Sequence, residues 1–340
     1  MSKPTYIQQI VEEVNKITSS CGPIFIYGEN INYGSCIGGL ARGLIVNPSG
    51  QIQNVGNCEL THVGLGLGIM LDGGQAALYG KQLDFILLGL EQACNTFNFI
   101  RAFRPRSTWG SFTIFVVVCD QGYQGPQSSL NNAGDFASLI NIPVYCLNGT
   151  RDVERVVGRH FANPGFRVIC LSQRQFSESA LEAEILWAAD DESIFHYQSG
   201  GDATIVSMNF ILRETLGLTI ELQKSGFECD LFHSNFVPGM NLEPLILSCQ
   251  RTGHLILIDD SKTVTKFGDA IVAEILRRIP ELRTLSLHRR GCSDEGYGIN
   301  EDRLLLDSQK VLAFLRHANI KKQSRVGVAP TRSITPSNIK

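Results

Sequence analysis

The chain has 340 residues, above the size at which a single core stops growing, so two domains are expected. Its 43% hydrophobic and 19% charged residues describe a globular protein with ample core, and a net charge of -3 without a long basic face argues against nucleic acid as the main partner. No apolar run is long enough to cross a bilayer.

In chain order, the first pattern is amphipathic. Ile7, Ile10, Val11, Val14 and Ile17 fall on one helical face, and Glu12 and Glu13 argue against a signal-peptide core. Apolar runs of strand length follow at 23–27 (PIFIY), 112–118 (FTIFVVV), 143–146 (PVYC) and 167–171 (RVICL). Runs apolar at every position are buried on both faces, as a parallel sheet covered by helices requires. Between them the spacing predicts helices over 63–71, 85–101, 132–140 and 153–161. The polar stretch 188–201, with DDES and a closing SGG, reads as a linker. A second set begins with strand 203–208, helix 213–225, strand 228–232 and helix 242–252. It continues with strand 255–258, helix 269–278, strand 282–287 and a last helix over 304–316. The expected fold is α/β: two three-layer α/β/α domains over 1–190 and 201–320, joined at 191–200. The Ser/Thr/Pro tail at 321–340 holds Lys321, Lys322, Arg325, Arg332 and Lys340 but no acid, and reads as a frayed end or an arm gripping a partner.

The ten cysteines include no CxxC pair, and several lie in or at the end of apolar strand-like runs. Reduced, buried, structural thiols in a cytosolic protein are the expectation. Familiar catalytic signatures are missing. Gly64, Gly66 and Gly68 lack dinucleotide-fingerprint spacing, and there is no GxxxxGK[ST], no GxSxG and no HExxH. His62 and His254 read as satisfied core or surface histidines.

An ordered constellation remains. Gly28, Glu29 and Asn30 follow the first strand, and Cys58, Glu59 and Leu60 open the glycine-studded segment "HVGLGLGIML". Leu83, Asp84 and Phe85 introduce "ILLGLEQACN", and the strand "FTIFVVVCD" runs into the loop "QGYQGPQSSLNNAGDF". This order resembles the β subunit of the thiamine-diphosphate-dependent 2-oxoacid dehydrogenase E1 component, a family related to transketolase. The second half, with Pro238, Pro244 and "HLILIDD" from His254, is similar to the family's C-terminal domain, and the resemblance spans roughly 5–318.

That resemblance implies a transketolase-like pyrimidine-binding domain followed by a transketolase C-terminal-type domain. It implies that Glu59 meets the cofactor's aminopyrimidine, where a carboxylate at N1′ favours the imino tautomer that takes the C2 proton. Phe85, Glu29, Asn30 and Leu60 match positions around the cofactor. From the residues alone, Glu59 reads equally as a first-turn acid matched to the helix dipole, Phe85 as core, and Glu29 with Asn30 as a polar turn. Gln127, Ser128 and Ser129 stand where the family commonly has Gln-His-Ser; Ser128 thus becomes the candidate catalytic residue, and lipoamide is in doubt as acyl acceptor. No GDG precedes an Asn pair: Gly201-Asp202, Gly268-Asp269 and Asn131-Asn132 each lack the rest of the pattern. Thiamine diphosphate would therefore be shared with an α-type subunit holding Mg2+, in a heterotetramer acting on a small 2-oxoacid or other carbonyl compound. A lipoyl acyltransferase is a further possible partner. The alternatives are a carbon–carbon ligase (acyloin-forming or transketolase-like) or a non-catalytic subunit of the same fold. The glycines after Glu59 are expected to pack against a symmetry mate or partner helix.

Overall fold

The computed structural model describes residues 3–121, 130–288 and 304–317; Ser128, Cys292 and the tail at 321–340 lie outside the described residues. The first half runs α1 (Tyr6–Ser20), β1 (Ile24–Gly28), β2 (Gln51–Asn54), α2 (Glu59–Leu71), β3 (Gln75–Gly80), α3 (Phe97–Phe103) and β4 (Ser111–Val118). It continues through α4 (Ala133–Ile140), β5 (Val144–Leu147), α5 (Thr150–His160) and β6 (Gly165–Ser172). α1 begins at a capping box, with Thr5 Oγ1 accepting from the Gln8 amide and Gln8 Oε1 from that of Thr5.

The six strands of this half are all parallel, in the order β2-β1-β3-β4-β6-β5. All eight residues of β4 are buried, which is why FTIFVVV shows no alternation. The second half runs β7 (Trp187–Ala188), β8 (Ile194–Gln198), β9 (Ala203–Met208), α6 (Leu212–Lys224), β10 (Cys229–Ser234) and α7 (Glu243–Thr252). Then come β11 (His254–Asp259), α8 (Phe267–Arg278), β12 (Arg283–His288) and α9 (Ser308–His317). Its sheet has the order β12-β11-β9-β10-β8-β7, with β8 antiparallel to both its neighbours and the rest parallel. The α/β class with two helix-covered sheets is as the sequence implied.

Two apolar clusters run through both halves. One joins Phe112, Val144 and Phe166 to Phe236, Leu245 and Leu257; the other joins Ile10, Phe115 and Tyr145 to Phe195, Ile205 and Ile258. Main-chain bonds of 2.9 and 3.0 Å between Val144 and Phe236 tie the sheets together.

Four details depart from the sequence reading. β2 (QIQN) carries no apolar run, β3 (QAALYG) only a short one, and neither was foreseen. The supposed linker at 188–201 contains β8, paired with β10. The helix expected over 85–101 is instead a 3-10 segment at Leu83–Gly89, a π-helical turn at Glu91–Thr96 and only then α3. Gly89 belongs to that break, because a Cβ there would lie 2.5 Å from Val63 Cγ2 and 3.1 Å from the Glu59 carbonyl. Finally, Gly66 does not await a partner helix. A Cβ at Gly66 would sit 2.1 Å from the ring of Phe112 on β4, so this chain's own sheet explains it, whereas Gly68 faces open space.

The nine described cysteines are free thiols, and Cys119, Cys146, Cys170, Cys229 and Cys249 are buried.

Candidate functional site

Strand order locates the crevice. From β1 the chain moves to β2 on one side, then crosses to β3 on the other, so β1 and β3 form a topological switch point. Ligands of open parallel sheets bind outside the carboxyl ends of the strands at such a point. Gly28 and Glu29 lie at the end of β1, Gly80 and Lys81 at the end of β3, and the N-terminus of α2 lies alongside.

A shallow recess opens there, lined by Glu29, Glu59, His62, Lys81, Gln82 and Phe85 among others. Glu59 is half-buried in the first turn of α2. With the Asn57 amide turned so that both its atoms are satisfied, its nitrogen donates to the two carboxylate oxygens at 3.0 and 3.3 Å. Phe85, half-buried in the 3-10 segment, supplies an aromatic wall. Asn30, at φ 58°, reverses the chain after β1 and donates to Glu29 Oε1 at 3.2 Å. Leu60 is 44% exposed and does not line the recess. Farther along α2, Val63 and Leu67 are buried, while Leu65 is 40% exposed.

A larger cleft of about 680 Å³ adjoins the recess, sharing Glu29, Lys81 and Gln82 and reaching Ile37, Cys119 and Phe176. Gln82 Oε1 is buried with no hydrogen-bond partner among the described residues. Cys119 is no nucleophile: burial, with the Asp84 and Asp120 charges, pushes its thiol up to about 12. Burial likewise pushes the carboxyl of Asp84, beside Phe85, up to about 7, against the pull of the Leu130 amide and the Lys262 ammonium. Sequence reasoning missed Lys81 and Gln82, because only the strand order reveals that the residues after β3 border a crevice. His62 was also set aside, although its spacing of three from Glu59 places the two on one helix face.

The second sheet has its own switch point, between β9 and β11, but that crevice is filled by the first half. Arg174 Nη1 lies 2.9 Å from Asp260 Oδ2 and 3.4 Å from Asp120 Oδ2, and its Nη2 donates to the Phe210 carbonyl at 2.9 Å. Asn131 donates to the Asp260 carbonyl and accepts from Asn209 at 2.7 Å. The partial phosphate motifs are committed to structure in the same way. Asp202 accepts from the Glu228 amide at 2.6 Å, and Gly268 packs against Leu257. Among the described residues, no group of three His, Cys, Asp or Glu could hold a metal ion.

The architecture is therefore that of a two-sheet α/β protein with one open crevice, and comparison with known proteins places it more closely. The chain is 22% identical over 264 residues to the 2-oxoisovalerate dehydrogenase subunit beta 2, mitochondrial, of Arabidopsis thaliana, covering 75% of this chain and 72% of the relative. It is 19% identical over 284 residues to the pyruvate dehydrogenase E1 component subunit beta of Staphylococcus epidermidis, covering 82% and 86%. Among solved structures, a split gene transketolase described as an inactive beta4 tetramer matches with a TM-score of 0.66 and 14% identity, over 93% of this chain and 98% of the other. No family model matches. The chain is thus similar at low identity to E1 β subunits and has a transketolase-like fold, as the ordered motifs implied.

Proposed function

We propose that this chain is the β-type half of a two-component thiamine-diphosphate enzyme acting on a small 2-oxoacid, with Glu59 engaging the cofactor's aminopyrimidine. The observation that carries this reading is the half-buried Glu59 carboxylate, gripped by Asn57 at the switch-point recess that Phe85 also lines. When bound, the cofactor supplies an electron sink for cleaving a bond next to a carbonyl.

The residues of the chain divide the remaining work. Glu59 holds a proton at the pyrimidine N1′, in surroundings of reduced polarity where that hydrogen bond is strengthened. Phe85 offers its ring as a wall. Lys81, exposed and without an ion-pair partner among the described residues, sets a cation where recess and cleft meet, suited to a substrate carboxylate. Glu29 and Asn30 edge the mouth of the site.

The diphosphate and its Mg2+ fall to an α-type partner, in a heterotetramer, because this chain's partial phosphate motifs are committed to structure. Exposed Leu60 and Leu65 on α2, with Leu88 nearby, form an apolar border that such a subunit would cover. A carbon–carbon ligase is the second reading, favoured by the transketolase likeness and by Ser128 in place of the loop histidine.

The test is co-expression with the α-type chain, followed by cofactor-dependent carbon dioxide release from a panel of 2-oxoacids. Glu59→Gln should lose at least about 100-fold in kcat, as removal of a general acid–base group does. Full activity in Glu59→Gln would end the reading. Lipoamide and aldehyde acceptors, compared side by side, separate dehydrogenase from ligase.

A further inference from the structure

His62 stands one turn beyond Glu59, is only 7% exposed, and lines the same recess. Its Nε2 lies 2.7 Å from the Gly56 carbonyl oxygen. A carbonyl can only accept, so Nε2 carries the proton and the tautomer is fixed. The backbone of His62 is held in turn from the sheet, since the buried Tyr27 hydroxyl donates to its carbonyl at 2.5 Å, with the two rings edge to face at 6.3 Å.

These contacts matter because α2 begins badly. Its N-cap residue, Cys58, makes no side-chain capping bond to a backbone amide, its Sγ reaching only the Thr61 hydroxyl at 3.1 Å, and the segment before it is exposed. An N-cap normally ties the entering chain to the first turn; here that tie runs backward from the ring of His62 to Gly56. Asn57, between Gly56 and the helix, is the residue whose amide spans both Glu59 oxygens. The path is continuous: β1 fixes Tyr27, Tyr27 fixes His62, His62 fixes Gly56, and the fixed loop aims Asn57 at the carboxylate.

We infer that His62 is a positioning residue, holding the Gly56–Asn57 segment so that Asn57 orients Glu59 toward the recess. This rests on the function proposed above, because orientation matters only if Glu59 meets a cofactor.

The test compares His62→Leu, which removes the donor, with His62→Gln, whose side-chain N–H can reach the same carbonyl. In the chain alone, amide hydrogen exchange at the first bonded amides of α2, beginning with residue 62, whose N–H donates to the Cys58 carbonyl at 3.0 Å, should accelerate about tenfold in His62→Leu and return toward wild type in His62→Gln, as expected for one hydrogen bond. In the complex loaded with thiamine diphosphate, His62→Leu should lose about tenfold in kcat with KM for the 2-oxoacid unchanged. It should also lose circular-dichroism intensity from the bound cofactor's imino tautomer, and His62→Gln should recover both. Wild-type exchange, kcat and tautomer signal in His62→Leu would overturn the inference, and so would a His62→Gln no better than His62→Leu. If Glu59→Gln itself keeps full activity and tautomer signal, the parent reading has failed and this inference falls with it.

Discussion

Two glycines in one helix make a paired test with opposite signs. At Gly68 an added Cβ meets nothing within 4 Å. Gly68→Ala should therefore collect the helix-propensity difference and stabilise the chain by about 1 kcal/mol. At Gly66 the same propensity gain applies, but the new methyl would lie 2.1, 2.4 and 2.5 Å from three carbons of the Phe112 ring. That ring is fully buried and stacked on Phe166 at 4.9 Å with an interplanar angle of 11°, so it cannot step aside without moving β6. Overpacking of this kind costs about 1–3 kcal/mol, or more where the neighbour is clamped. Taking about 3 for the clamped ring and subtracting the propensity gain leaves Gly66→Ala destabilised by roughly 2 kcal/mol. The two variants should then differ by about 3 kcal/mol, well outside the scatter of surface substitutions. Urea unfolding of the full chain, followed by far-ultraviolet circular dichroism, measures both. Equal midpoints would refute the packing argument. Assembly reads the same helix from outside: Gly68→Leu should weaken capture of the α-type chain by size-exclusion chromatography, while Gly66→Leu should damage the chain before assembly begins.

Three further outcomes are expected. The Glu192 carboxylate is fully buried and faces Arg155 at 2.9 Å, Arg159 at 3.3 Å and His160 at 2.9 Å. Because the two arginines remain partly solvated, Glu192→Gln should cost about 2 kcal/mol in urea unfolding rather than the full penalty of breaking a buried pair; a loss under about 0.5 kcal/mol would contradict this. Asp84 is raised from 3.8 to about 7 in the folded state, so the unfolded chain gives up its proton first as pH rises. Its penalty is absent below about pH 4, grows through pH 4–7 and is complete above pH 7. Asp84→Asn should therefore gain stability on wild type between pH 5 and pH 8, and a constant difference across that range would refute the assignment. Lys81→Ala should raise KM for a 2-oxoacid about tenfold while changing kcat less than threefold, as loss of uniform substrate binding does; an unchanged KM would remove Lys81 from the site.

How far the fold could be read from the chain depended on burial. PIFIY and FTIFVVV are legible because strands covered on both faces leave continuous apolar runs. β2 hides because QIQN lies mostly exposed at the sheet edge, and β8 because an antiparallel pair inside a polar stretch looks like a linker. The 85–101 segment misleads for another reason: its apolar spacing is helical, but the approach of Gly89 to α2 breaks the winding. Glu59, Phe85 and Glu29 stand out through the order of their motifs, and the structure brings all three to one recess. Lys81 and Gln82 could not be found the same way, since their place follows from a strand crossing over its neighbour. His62 was legible as a satisfied histidine, which it is. What it satisfies is a loop carbonyl six residues back, and no helical periodicity encodes that contact.

Arg174 and Asp260 have a consequence for the segment that carries Ser128. Asp120, just before that segment, accepts from the Arg174 backbone amide at 3.0 Å, and Asn131, just after it, is bonded to Asp260 and accepts from Asn209. The chain thus leaves from and returns to a single polar knot shared by both halves of the protein. Both ends are therefore held by residues of the two sheets' shared interface. The second half, whose own crevice is filled, serves as the abutment of that span. Any change made to that knot would be felt in both halves at once.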